Sequence, residues 1–260
     1  MISEITSLKN DLVKRAASLK VKKYRQREQL FLLEGKRAVD EARRSSWQIQ
    51  AYFFTKLPEE WTQEADAGDT PYYQVTEAVM EKITATEDPQ GVAALVALKE
   101  TPLKDFHPAK GLVLVLDKIR DPGNTGTLIR TADALGAAGV ILLAETADLY
   151  NPKVVRSTMG SLFHLPVFTG VTQEELLNWC RKEQFTLWAT ALEGAKNVTE
   201  TAWPQKTALV MGSEAEGVDP ALLAQADTKI MIPMAGQAES LNVAIAGGIL
   251  LFLGSQGQKA

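Results

Sequence analysis

Three loops in the C-terminal half of the chain carry most of the side chains able to do chemistry. The first reads DKIRDPGNTGTLIRTADALGA and offers Asn124 and Arg130; the second, GSEAEGVDP, offers Glu214; the third, IPMAGQAESLNVAIAGG, offers Ser240 and Asn242. Each is predicted to follow a strand and lead towards a helix, and open α/β sheets bind ligands at the carboxyl ends of their strands. Pro122-Gly123-Asn124 makes a turn, with Asn124 placed to cap the helix that follows and Arg130 about two turns into it. Leu128, Ile129, Ala132 and Ala134 around that arginine leave little room for a fully exposed face. Gly212 permits a close backbone approach, and Glu214 sits where its strand delivers it to the ligand edge. Taken singly, each feature has a plain reading: a cap, a surface arginine, an acidic loop.

Other chemistries lack their parts. No Gly-x-Gly-x-x-Gly follows a strand and there is no Gly-Lys-Ser/Thr, which weighs against a standard dinucleotide site and a P-loop. With His107, His164 and Cys180 as the whole Cys/His complement, a zinc site of the usual kind has too few ligands. The single cysteine permits no internal disulfide and suits a reducing compartment. The N-terminal MISEITSLKNDLVKR lacks the apolar core of a signal peptide. Leu241–Leu253 is too short to span a bilayer and contains Gly247 and Gly248, so it reads as a buried helix. The expectation is a cytoplasmic protein.

The elements that must position these loops alternate between strand and helix. LVLVLD (Leu112–Asp117) is a continuous apolar run, as expected for a strand buried on both faces of a parallel sheet. A helix over about Thr125–Leu135 and a strand at Val140–Ala144 follow. Further strands are expected at Leu165–Phe168, Phe185–Ala191, Ala208–Met211 and Lys229–Ile232, and a last helix from about Ser240 to Gly254. Upstream, Lys9–Arg27 has helical character, with Leu12, Ala16 and Leu19 on one face. Phe31–Gly35, Ala51–Thr55, Tyr72–Val75 and Val92–Lys99 read as strands, a helix runs on from the first of these to about Arg44, and Thr76 resembles an N-cap. The fold class is therefore α/β throughout, with a small domain over residues 1–100, a linker over 101–110 and a larger domain over 111–260.

The net charge of −4 hides an asymmetry. Residues 1–47 hold 12 Lys+Arg against 6 Asp+Glu, a net of +6, which leaves −10 for the remainder. Between Lys9 and Arg27 there are eight basic residues and one acidic, Asp11. Such a segment can track phosphates, although a charge run also reads as a solvated helix face.

In this order, N-x-G-x-x-x-R, G-x-E-x-x-G and I-P-M-x-G…E-S-L-N-V resemble the three motifs of the SpoU–TrmH family of the SPOUT class, RNA ribose 2′-O-methyltransferases. The resemblance covers roughly residues 110–255, and NPKVVRSTMGSLFHLPV (Asn151–Val167) looks like the family's intermediate segment. Residues 1–100 resemble the family's N-terminal substrate-binding domain, related to a class of RNA-binding ribosomal proteins. The resemblance implies a C-terminal trefoil knot, an exception to the rule that chains are unknotted. It implies S-adenosylmethionine as methyl donor, held by Gly212, Ile232, Met234 and Leu241, with Thr190, Ala191 and Leu192 as adjoining wall. It also implies a catalytic set of Arg130, Asn124, Glu214, Ser240 and Asn242, and a homodimer formed through the knotted domains. Ala244 stands where a small polar residue often follows the third motif's Asn-Val.

The implied reaction is methyl transfer to a ribose 2′-hydroxyl, with ribosomal RNA of the large subunit favoured over transfer RNA by analogy. Family proposals give the base role to the arginine at position 130. A guanidinium holds its proton to a pKa above about 12, so gripping a substrate phosphate is the physically simpler role. Three readings compete with it: a transfer-RNA ribose methyltransferase, a catalytically silent RNA-binding or ribosome-assembly protein, and a nucleotide-dependent α/β enzyme with an unusual phosphate loop.

Overall fold

The computed structural model describes residues 2–67, 69–213 and 215–258. In chain order the elements are β1 (Ile2–Ile5), α1 (Asp11–Ser18), α2 (Lys22–Glu28), β2 (Leu30–Glu34), α3 (Lys36–Arg44), β3 (Ile49–Phe54), α4 (Thr62–Ala67), β4 (Tyr72–Val75), α5 (Glu77–Ile83) and β5 (Val92–Ala97). They continue with β6 (Gly111–Leu116), α6 (Pro122–Ala134), β7 (Gly139–Leu143), α7 (Pro152–Thr158), β8 (Val167–Val171), α8 (Gln173–Glu183) and β9 (Thr186–Thr190). The remainder are β10 (Lys196–Asn197), β11 (Lys206–Met211), α9 (Pro220–Gln225), β12 (Thr228–Met231) and α10 (Val243–Gly257). The chain divides into two compact units. One is Met1–Lys99 with Tyr150–Phe163, and the other is Glu100–Leu149 with His164–Ala260.

The first unit is built on a mixed sheet of order β1-β4-β3-β5-β2, antiparallel where β5 meets β3 and β2. Its core gathers Val13, Ala16, Leu32, Phe53, Met80 and Leu95. The basic stretch after Lys9 forms two helices rather than one. Asn10 caps the first, accepting from Leu12 N at 2.8 Å. At the break, the buried Arg25 donates from Nη1 to the carbonyls of Leu19 (2.7 Å) and Lys20 (2.9 Å). One of the eight basic residues is thereby part of the core, and Arg15 and Arg27 both pair with Glu28 at 2.8 Å. Strand β1, unanticipated in the sequence, buries a single residue, Ile5, and carries no alternation. Helix α7 joins this unit through Arg156, whose Nη1 lies 3.4 Å from Glu34 Oε2.

The second unit holds a wholly parallel sheet of order β10-β12-β9-β11-β6-β7-β8. Leu112–Leu116 are buried along all of β6, as expected of a strand between two covered faces. On one side Val113, Val115, Ile141, Phe168, Trp179 and Val210 form a single cluster. Phe106 stacks on Trp179 (ring centroids 5.5 Å apart) and its carbonyl accepts the indole N–H at 2.9 Å. On the other side α10 packs on α6. No helix of the described residues is long and apolar enough to cross a membrane.

Candidate active site

Four neighbouring strands, β12-β9-β11-β6, run parallel and end along one edge of the sheet at Met231, Thr190, Met211 and Leu116. Every loop singled out from the sequence leaves from this edge. Thr190 ends β9, with its hydroxyl donating to Val210 O at 3.3 Å, and Ala191 N donates to Ile230 O at 3.1 Å. Leu192 follows, 83% exposed. Ile232 and Met234 continue from β12, Gly212 from β11, and Leu241 lies half-buried just before α10. All of the candidate donor residues but Leu241 thus lie at or just past adjacent strand ends, because parallel pairing places the carboxyl termini together.

Helix α6 begins earlier than its sequence suggests. Asp121, not Asn124, is the N-cap, accepting from Asn124 N at 2.7 Å, and Pro122 takes the first helical position. An aspartate before a proline is the stronger start signal, since the ring supplies a helical φ and lacks only an N–H that would be unpaired there. This relieves the Asn124 side chain of capping. Its Oδ1 instead accepts from Asn242 Nδ2 at 3.1 Å, 118 residues along the chain.

Asn242 has two tasks. Its Oδ1 caps α10, accepting from Ala244 N at 2.9 Å and Ile245 N at 3.3 Å, while its amide nitrogen reaches Asn124. The two helices meet closely because α10 offers glycine at the crossing. A Cβ on Gly247 would stand 2.2 Å from Leu128 Cδ2. The Arg130 side chain lies exposed on α6 and makes no hydrogen bond or ion pair with any described residue. Ser240 is likewise exposed, in the stretch between β12 and α10, without a hydrogen bond to a described residue. Glu214 lies outside the described residues. The fold therefore joins Asn124 to Asn242 directly, and leaves the Arg130 and Ser240 side chains unengaged by any described residue.

Gly212 is required by the chain's own path. A Cβ there would lie 2.0 Å from Gly217 C and 2.1 Å from Val218 N, so the loop doubles back across it. Gly217 N closes the turn on Ser213 O at 2.9 Å, and Glu216 N on Ser213 Oγ at 3.1 Å.

Three charged residues beside this loop escaped the sequence reading. Asp117, 1% exposed at the end of β6, accepts from Asp219 N at 2.7 Å. Lys118 Nζ lies 2.8 Å from Asp219 Oδ2, and Asp219 Oδ1 caps α9 through Ala221 N at 2.9 Å. Burial pushes the Asp117 carboxyl above its ordinary pKa, while the Lys118 ammonium holds that of Asp219 below. A charge closing the all-apolar run LVLVL was the available signal.

Residues 111–252 match the SpoU rRNA Methylase family, and residues 10–94 match the MRM3-like substrate binding domain. The 23S rRNA (guanosine(2553)-2′-O)-methyltransferase RlmP of Bacillus subtilis is 36% identical over 254 residues, covering 96% of this chain and 98% of that protein. The crystal structure of AdoMet-bound rRNA methyltransferase from Sinorhizobium meliloti superposes with a TM-score of 0.90 at 36% identity, covering 98% of both chains. The AdoMet complex of the SpoU methyltransferase AviRb from Streptomyces viridochromogenes superposes at 0.88 with 27% identity, covering 97% of this chain and 99% of that one. The chain belongs to the SpoU rRNA Methylase family and shares its SPOUT fold, and by that membership it is an S-adenosylmethionine-dependent RNA ribose 2′-O-methyltransferase.

Proposed function

We propose that the substrate is large-subunit ribosomal RNA and that the chain works in the cytoplasm as a homodimer, with Arg130 gripping the RNA beside the target ribose. The observation that carries the site assignment is the Asn242–Asn124 hydrogen bond, which ties the first and third motif loops together next to the strand ends. The match of residues 10–94 to a substrate-binding domain and the 23S ribosomal RNA specificity in the name of the Bacillus subtilis relative support the choice of RNA.

The edge suits the donor. Leu192 and Met234 present exposed apolar surface of the kind that covers a purine ring, and the strand-end backbone beside them supplies hydrogen-bonding groups. Thr190, Ala191, Leu192, Gly212, Ile232, Met234 and Leu241 would hold it. When bound, the sulfonium supplies an electrophilic methyl group with its leaving group already in place. The protein's part is orientation and a more nucleophilic 2′-oxygen. Arg130, unengaged by any described residue, is available to a phosphate and to the negative charge that develops on that oxygen. Asn124 and Asn242 steady the ribose side, with Ser240 and Glu214 completing the set.

The homodimer reading rests on α10. Ile245, Ile249 and Phe252 recur at helical spacing and are exposed, at 58%, 36% and 52%. A stripe of that kind marks an interaction surface. Phe252→Glu is expected to convert a dimer to a monomer in light scattering, and a wild-type monomer at micromolar concentration would refute the assembly.

Mapping 2′-O-methylated positions in total RNA with and without the protein tests the activity, and the expected gain is one site in large-subunit RNA. Arg130→Lys is expected to lose more than about a hundredfold in turnover with donor affinity intact. Near-normal turnover would overturn its assignment.

A further inference from the structure

The charged group between β6 and α9 lies beside the motif residues without being one of them. Two consecutive residues, Asp117 and Lys118, grip Asp219 from different sides. The carboxylate of Asp117 takes its backbone N–H at 2.7 Å, and the ammonium of Lys118 takes its side chain at 2.8 Å. A buried carboxylate is costly, and nothing in the packing of an apolar strand calls for a charge at its end. Lys118 moreover adopts a left-handed backbone conformation, with φ of +55°, that only glycine enters freely. Cost and strain at adjacent positions, both directed at one residue, point to a demand outside the core.

That demand is visible in what Asp219 terminates. The loop after Gly212 turns back so tightly that the backbone of residues 217–218 occupies the space of a Gly212 side chain. Its interior is closed by the two bonds onto Ser213, its Glu216 carboxylate lies 3.8 Å from Arg120 Nη1 at the surface, and its far end is held where Val218 sinks into the core and Asp219 meets the pair and Gln173. The same pair begins the segment that runs on through Asp121 to Asn124 and Arg130.

We propose that Asp117 and Lys118 are positioning residues that clamp the 212–219 loop in place over the sheet edge and thereby set affinity for the methyl donor rather than for RNA. The inference rests on the reading that Gly212 belongs to the donor site. The clamp itself has a consequence independent of any ligand: without it, the loop amides lose protection.

Two measurements on the full chain test it. In hydrogen–deuterium exchange of the free protein, Asp117→Ala and Lys118→Met are each expected to speed exchange of peptide 212–219 at least tenfold while β6 and β11 stay protected. In calorimetric titration with S-adenosylmethionine, Asp117→Ala is expected to weaken binding about tenfold or more, with KM for unmethylated ribosomal RNA changed less than twofold. Asp117→Asn, which keeps an oxygen for the Asp219 N–H, is expected to recover most of that loss, which general destabilisation would not predict. Should Asp117→Ala prove too unstable to purify, Lys118→Met decides the matter, since its side chain is partly exposed. Unchanged exchange and unchanged donor affinity in either folded variant would overturn the clamp. If S-adenosylmethionine binds the wild type without protecting 212–219, the placement of Gly212 in the donor site fails instead, and faster exchange in the variants alone would show a clamp with no role in donor binding, which also overturns the proposal.

Discussion

Asn242 donates to Asn124 across 3.1 Å while its own carbonyl oxygen caps the helix behind it. One side chain therefore fixes both where α10 begins and how it meets α6. In this pair Asn124 is the acceptor, while Asn242 serves as acceptor and donor at once. Asn124→Ala is expected to cost about 1 kcal/mol for the bond to Asn242 alone. Asn242→Ala is expected to cost about twice that, because a cap is lost as well. Asn124→Asp keeps an acceptor for Asn242 Nδ2, whereas Asn242→Asp removes the donor and sets a carboxylate against the facing oxygen, so only the second should lose this bond. Urea denaturation of the four variants and the double alanine mutant checks the order and the coupling.

Gly212 and Gly217 differ in why they are glycine. At Gly212 a methyl group would meet backbone at 2.0 Å, whereas Gly217 has φ of +70° and open space around its Cβ position. Gly217→Ala is expected to cost about 1–2 kcal/mol from the left-handed conformation alone. Gly212→Ala should cost well beyond that, since backbone cannot yield as a side chain does. Thermal unfolding and donor titration on both variants should separate them clearly.

Within α10, neighbouring glycines should respond with opposite signs. Gly247→Ala drives a methyl into the buried Leu128 and is expected to destabilise by about 1–3 kcal/mol. A Cβ on Gly248 would meet only Thr131 Cγ2 at an ordinary 3.7 Å, so Gly248→Ala should stabilise by up to about 1 kcal/mol through helix propensity. Combining Gly247→Ala with Leu128→Ala should cost less than the sum of the two, by denaturation midpoints.

Cys180 is buried in the core of the second unit, and burial pushes its thiol up to about 12. It is expected to resist alkylation at pH 8 in the native protein and to react at the ordinary rate in denaturant. Because the folded chain keeps this proton while an unfolded chain releases it near pH 9, the thiol's contribution to stability falls as pH rises between those values. Cys180→Ala should flatten the alkaline loss of stability over that window.

Much of this protein was legible in its sequence for local reasons. The run LVLVL identifies a strand covered on both faces, Tyr72–Val75 and the Thr76 cap fall where the residue types place them, and the three motif loops lie at strand ends, where a parallel sheet gathers them. The cap of α6 was misread by three positions, although the Asp-Pro signal was present, because Asn124 also fits a cap. Strand β1 carries too few apolar residues to announce itself.

What the sequence determined by itself was the identity and order of the chemical groups, because periodicity, turn residues and motif spacing act over a few residues. Only the tertiary structure decided which of them meet. Asn124 and Asn242 are 118 residues apart, and Asp117 and Asp219 are 102, so neither pairing leaves a local trace. The parallel sheet brings their strand ends together and the glycines of α10 let it approach α6; at the buried Asp117 the hydrogen bond is then obligatory, since a polar group removed from water must find a partner.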